Sequence, residues 1–203
     1  VAHVIASTKF AIKGEEAGVD AIVAEGFEAG GHNGREETTT MCLIPAVRKV
    51  TNKPLIAAGG IGSGQAMVAA ISLGADAVQV GTRFALTVES SASDEFKKIC
   101  LNLNEGDTAL TLKQLSPTRM VKNELFNRIA EARGASVDEL REILGKGKAK
   151  KGIFEGDTTD GELEIGQVAS SVKILQTAGE AVGQMIDEYL SALSRVVSIV
   201  LLK

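Results

Sequence analysis

Two five-residue phrases, Ala17-Gly18-Val19-Asp20-Ala21 and Leu73-Gly74-Ala75-Asp76-Ala77, repeat one another along the chain. In each, a helical stretch closes on a glycine, as helix C-termini prefer, and an apolar run follows at once. Four β-rich apolar runs recur in this way: Val1–Ala6, Ala21–Ala24, Pro54–Ala58 and Ala77–Val80. Each has the length of a strand and lacks polar alternation, the pattern of strands covered on both faces. Helical segments over Lys9–Ala17, Met41–Val50 and Gln65–Leu73 lie between them. A repeated strand–helix unit builds a parallel sheet, so the fold class is α/β.

Four such units resemble the second half of a (β/α)8 TIM barrel, about strands 5–8. An isolated half barrel has unpaired strand edges and an open apolar interior. The expectation is therefore that the N-terminal half of the barrel is needed to complete the fold and is absent from this sequence. Residues 1–92 would form the C-terminal half of the barrel, and residues 93–203 a helical lid or insert with a closing C-terminal helix. A complete flavodoxin-like domain is the alternative architecture.

Composition narrows the function classes. A 203-residue chain that is 44% hydrophobic can bury a sizeable core. Its net charge of −4 argues against a nucleic-acid partner, which needs a basic face. Cys42 and Cys100 stand far apart without metal-ligand neighbours and read as free thiols in a reducing compartment. The apolar tail Val196–Leu202 is far too short to span a bilayer, and no signal peptide is visible, so a cytoplasmic protein is expected. No metal site and no membrane partner are expected.

The chemistry-bearing stretch is Glu25-Gly26-Phe27-Glu28-Ala29-Gly30-Gly31-His32-Asn33-Gly34, directly after the strand Ala21–Ala24. Loops leaving the C-terminal ends of parallel strands carry the active sites of barrel enzymes. Glycines there let backbone approach a flat or anionic ligand, and His32 is one of two histidines in the chain. Two further glycine turns, Gly59-Gly60-Ile61-Gly62-Ser63-Gly64 and Gly81-Thr82-Arg83, follow the third and fourth strands. At strands seven and eight of a barrel, such turns hold a phosphate, with free N–H groups and the Thr82 hydroxyl as donors. Arg83 would neutralise it or form a structural ion pair.

These motifs together resemble the nitronate monooxygenase superfamily, which includes FMN-dependent enoyl-acyl-carrier-protein reductase II. The resemblance rests on Glu28-Ala29-Gly30-Gly31-His32, Ala57-Ala58-Gly59-Gly60-Ile61, Val80-Gly81-Thr82-Arg83-Phe84 and Glu89-Ser90. It continues through Pro117, Arg119 and Asn123, then Gly156-Asp157, Gly161 and Gly166-Gln167. It implies a barrel binding FMN, with Gly59, Gly60, Gly81 and Thr82 on the phosphate, and Glu25, Gly30 and Gly31 near the flavin. His32 would face the ring as the catalytic residue. NAD(P)H would be the co-substrate, and the substrate a small molecule or an acyl thioester, with acyl carrier protein as a candidate partner and a homodimer as the assembly.

The stretch Gly34-Arg35-Glu36-Glu37-Thr38-Thr39-Thr40-Met41 resembles the reductase branch, which reduces trans-2-enoyl thioesters in fatty acid synthesis. Oxidation of alkyl nitronates with oxygen is the alternative. A non-enzymatic scaffold and a cysteine-dependent barrel of the inosine-monophosphate dehydrogenase type are further readings. Past Ser93 the pattern predicts helices over Asp94–Leu103, Pro117–Arg133, Ser136–Leu144 and about Val172–Leu193. Arg119 and Asn123 would share a helical face, contacting ligand or forming a structural bridge. In the last helix Leu175, Ala178, Val182, Met185, Tyr189 and Leu193 would form a core stripe. The basic run 145–152 reads as a solvated linker or an attraction for phosphates, and His3 as packing or barrel-mouth lining.

Overall fold

The computed structural model describes residues 1–132 and 134–201. Four parallel strands form one sheet in the order β1 (Ala2–Ile5), β2 (Ala21–Glu25), β4 (Leu55–Ala58), β5 (Ala77–Gln79). The crossovers are α1 (Thr8–Glu16), α2 (Thr40–Arg48) and α3 (Gly64–Ser72), each starting one residue before its predicted position. Gly18 and Gly74 take positive φ values of 79° and 108° past α1 and α3, as the repeated phrase predicts. The aspartate of that phrase sets register. The Asp20 N–H donates to Val1 O at 2.8 Å, and the Asp76 N–H to Leu55 O at 2.7 Å, so each joins its strand to the one before. Asp76 also accepts from Leu55 N at 2.8 Å.

This sheet and its helices are a partial barrel. Its central strands are covered on both faces, with Ile22, Ala24, Leu55 and Ala57 fully buried. The edges differ from the sequence expectation: Ala2, His3 and Val4 of β1 are exposed, as are Ala77 and Gln79 of β5. A closed barrel pairs both edges, and among the described residues no further strand pairs with either. His3 is therefore surface-exposed rather than packed.

Beyond the parallel sheet the region is not simply helical. A second, antiparallel sheet runs in the order β3 (Gly31–His32), β7 (Thr118–Val121), β6 (Thr108–Thr111). The predicted helix over Pro117–Arg133 is thus corrected: β7 occupies its start, and α6 begins only at Glu124 and ends at Glu131. Thr118 and Val121 are β-branched and Met120 is fully buried, which suits a covered strand. Arg133, the predicted end of that helix, and Leu202 of the apolar tail lie outside the described residues.

The remaining helices are α4 (Thr82–Ala85), α5 (Asp94–Leu101), α7 (Val137–Leu144), α8 (Lys148–Ile153) and α9 (Ala178–Leu201). Ser136 and Glu139 form a capping box at the start of α7. The basic run is a short helix rather than a linker, with Lys148 paired to Asp160 and Lys150 to Glu155. A 3₁₀ turn, Gln167–Ser171, precedes α9, which starts six residues later than predicted. Its buried positions are Ala181, Met185 and Ala192, whereas Val182 and Leu193 of the predicted stripe are exposed. The helix lies against α3 so closely that a Cβ on Gly64 would stand 2.1 Å from Tyr189 N. Among the described residues no helix is long and apolar enough to cross a membrane.

Arg119 ties the two sheets together. It is 1% exposed, donates from Nε and Nη2 to Phe27 O at 3.2 and 2.9 Å, and stacks 4.5 Å from the Phe27 ring. Burial disfavours its charge, while Glu28 and Glu37 sustain it. Asn123 caps α6 and donates to Thr158 O and Gly161 O at 3.0 and 2.9 Å. Both residues therefore do structural work. Replacing Arg119 by methionine strands the Phe27 carbonyl and is expected to cost about 3 kcal/mol, read as a lower urea midpoint.

Candidate active site

A cavity of about 270 Å³ opens where Glu25, Ala58 and Gln79 end strands β2, β4 and β5. Its walls include Gly30, Gly59, Gly60, Gly81 and Thr82, so six of the eight predicted site residues, counting Glu25, meet at one opening. Gly59 and Gly60 have φ of 85° and 72°, which excludes most side chains. A Cβ on Gly59 would come 2.6 Å from Gly26 O, so packing against the neighbouring loop also demands glycine there. A Cβ on Gly81 would meet nothing within 4 Å. Its open space belongs to the cavity.

Gly31 and His32 are placed differently. Gly31 is buried in β3 opposite Arg119, and His32 is exposed opposite Thr118. The imidazole is carried on a short strand rather than on a free turn. It lines a second cavity, of about 250 Å³, together with Leu112, Leu115, Leu144, Lys148 and Glu162. Gly30 faces the first cavity and His32 the second, so the glycine–histidine segment is the wall between them.

Several site groups escaped the sequence reading. Glu28 lines the first cavity, and its carboxylate accepts from Thr40 N at 3.0 Å and from Thr40 Oγ1 at 3.1 Å. Thr40 is thereby committed to the turn. Glu164 also lines the first cavity, on a segment where Leu163 and Ile165 are buried and Glu162 and Glu164 are not. That period-two alternation was a readable strand signal. The segment is held by Gly166 N–H donating to Thr82 Oγ1 at 3.0 Å and Gln167 N–H donating to Glu28 O at 3.0 Å. Arg83 donates from Nη2 to Gln176 Oε1 and Gln184 Oε1 at 2.7 and 2.6 Å, and among the described residues it forms no ion pair.

The site is acidic and half-buried. Burial raises the carboxyls of Glu25 and Glu164 above the usual range, and His32 partly offsets this at Glu164. Glu162 is raised by burial and by Glu164, with His32 and Lys148 opposing. Cys100 is buried core, its thiol pushed up to about 12, and Cys42 is exposed on α2. Neither lines either cavity. Among the described residues no group of three or more His, Cys, Asp or Glu could hold a metal ion.

The model of the family described as nitronate monooxygenase matches residues 1–188. The chain belongs to that family. It is 37% identical over 161 residues to a Staphylococcus saprophyticus protein named "Probable nitronate monooxygenase", covering 72% of this chain and 45% of the relative. Among solved structures, FabK from Thermotoga maritima superposes with a TM-score of 0.93 at 34% identity, over 98% of this chain and 63% of FabK. A nitroalkane oxidase from Streptomyces ansochromogenes gives 0.78 at 30% identity, over 96% of this chain and 58% of that one. The chain thus spans about half the length of the curated relatives it matches.

Glu25 has no hydrogen-bond partner among the described residues, and its raised carboxyl opposes folding once ionised. With the folded-state pKa above the unfolded one, the folded chain holds its proton more tightly, so stability falls as pH rises through that interval. Glu25→Gln should therefore stabilise the protein at neutral pH and leave it unchanged near pH 4, as measured by thermal melts across pH.

Proposed function

We propose that this chain is the C-terminal part of an FMN-dependent oxidoreductase, most simply one that reduces trans-2-enoyl thioesters of acyl carrier protein. The observation that carries it is the cavity at the strand ends, lined by paired glycine turns and carboxylates and walled off from a second cavity by His32. In this reading residues 1–92 supply half of the barrel and residues 93–203 the cover over its mouth. The similarity to FabK, an enoyl-acyl-carrier-protein reductase II, supports the reductase branch through a TM-score of 0.93 against 0.78 for the nitroalkane oxidase. The curated relatives' names favour oxidation of nitronates as the second reading.

The residues present fit FMN. Gly59, Gly60, Gly81 and Thr82 form a cradle free of side-chain bulk apart from a hydroxyl, as a phosphate needs. Thr82 Oγ1 accepts from Gly166 N and keeps its own proton to donate. Glu25 has acceptor oxygens for ribityl hydroxyls or a ring N–H. When bound, FMN supplies the hydride and electron chemistry, and the protein supplies position and proton control.

In this reading the acyl chain of the substrate extends into the second cavity, while its reacting carbons reach past the segment that carries His32 to the first. Leu112, Leu115 and Leu144 offer an apolar surface for an acyl chain. Reduction delivers a hydride to the β-carbon and a proton to the α-carbon, and His32 is the titratable group positioned to hold the thioester oxygen or give that proton. NAD(P)H as hydride source, acyl carrier protein as docking partner and a homodimeric assembly belong to the same proposal. In the nitronate reading the same imidazole orients the substrate's α-proton.

Anaerobic mixing with NADPH, followed by crotonyl thioester, tests the reading. Rapid bleaching of bound flavin, reversed by the thioester, is the expected outcome. Slow bleaching with oxygen-dependent nitronate turnover would move the protein to the second branch. His32→Ala should leave flavin uptake intact and lower kcat by about 10²–10⁴-fold; unchanged turnover would remove His32 from the mechanism.

A further inference from the structure

Among the described residues, Glu37 and Leu112 are the two that are not glycine and yet take positive φ, at 51° and 57°. That backbone crowds Cβ against the following carbonyl, which glycine and asparagine tolerate and leucine does not. Leu112 opens the turn 112–117 between β6 and β7, where Leu115 N–H donates to Leu112 O at 2.9 Å. Arg35 donates from Nη1 and Nη2 to Lys113 O and Leu115 O at 3.1 and 2.9 Å, and Lys113 pairs with Glu37. The turn is thus pinned to the loop that follows His32, and these contacts hold the strained residue in place.

Leu112 stands between two cavities. One is the cavity of about 250 Å³ that His32 lines, and the other, of about 260 Å³, lies among Leu110, Phe126, Ile129, Ala130 and Leu140. Among the described residues Leu112 is the one that lines both, and it is only 5% exposed. Helix α7 gives their order: Leu144 borders the near cavity and Leu140, one turn earlier, the far one. The two spaces therefore lie end to end along α7 with Leu112 at their junction. The turn itself does not call for leucine. What uses that side chain is the partition.

We propose that Leu112 sets the length of acyl chain this site accepts, by closing the His32 cavity at its far end and withholding the space beyond. The proposal rests on the enoyl-thioester reading given above. A chain entering past His32 runs along Leu115 and Leu144 and stops at Leu112. Further methylenes would have to stay in water or displace a side chain packed in one cluster with Met120, Ile129 and Leu140. Removing that side chain joins the cavities and offers the chain the apolar walls of Phe126, Ile129 and Leu140.

Calorimetric titration of the flavin-loaded protein with saturated acyl-pantetheines, from butyryl to lauroyl, tests this without relying on turnover. In the wild type the affinity should rise about fourfold for each methylene buried and then level off. Leu112→Gly, which also suits the positive φ, should move the levelling point to a longer chain and raise the lauroyl-to-butyryl affinity ratio about tenfold or more. Refilling the far cavity by Ala130→Phe in that background should bring the levelling point back. Leu112→Ala carries the test if Leu112→Gly does not fold. An unmoved levelling point in the folded variant, a steady rise without levelling in the wild type, or a longer preference that survives Ala130→Phe overturns the proposal. If no acyl-pantetheine of any length binds the wild type, the enoyl-thioester reading falls and this proposal falls with it.

Discussion

Between Gly30 and Ile165 the two backbones run so close that a Cβ on Gly30 would stand 2.4 Å from the Ile165 carbonyl carbon. This contact brings the far C-terminal segment onto the loop that leaves β2. Only a residue without a side chain permits it. From it follow the seat of Glu164 beside Gly31, the donation from Gly166 to Thr82, and the closure of the first cavity on the side away from the sheet. Remove the contact and the strand-end turns would face open solvent.

The second constraint is electrostatic. Three carboxylates, Glu25, Glu28 and Glu164, line the same cavity as Gly59, Gly60, Gly81 and Thr82, and the Glu28 side chain lies directly beside Gly60. Glu28 is bound by Thr40, whereas Glu25 and Glu164 have no hydrogen-bond partner among the described residues and are raised by burial, an effect that His32 partly offsets at Glu164. Unpaired half-buried carboxyls oppose folding, and proteins keep them where binding or proton transfer needs them. Arg119, fully enclosed nearby, spends its donors on Phe27 O and sustains the loop without entering the cavity.

Local chemistry wrote the parallel half of the fold directly into the sequence. Apolar runs of strand length, glycines with positive φ and the twice-used Gly–Xaa–Asp phrase each act within a few residues, so their positions along the chain carry the information. The same holds for Gly59, Gly60, Gly81 and Thr82, which converge because successive parallel strands all end on one side of the sheet. Sequence alone also picked out His32, though not its strand or its second cavity.

What only the tertiary structure decided is the pairing between distant segments. The alternation Glu162-Leu163-Glu164-Ile165 is a weak strand signal alone, and it takes on meaning once Met120 bridges to Glu164. Arg119 and Asn123 are four apart and suit a helix, yet β7 wins at the first because its side chains are buried between partners on both edges. Helix propensity in a short segment amounts to a few tenths of a kcal/mol per residue, and enclosing Met120 and Thr118 outweighs it. In α9 the buried face is set by where Gly64 admits the helix, not by the periodicity of its own apolar residues. Sequence fixes what each segment can become, and the contacts between segments decide which of those options is taken.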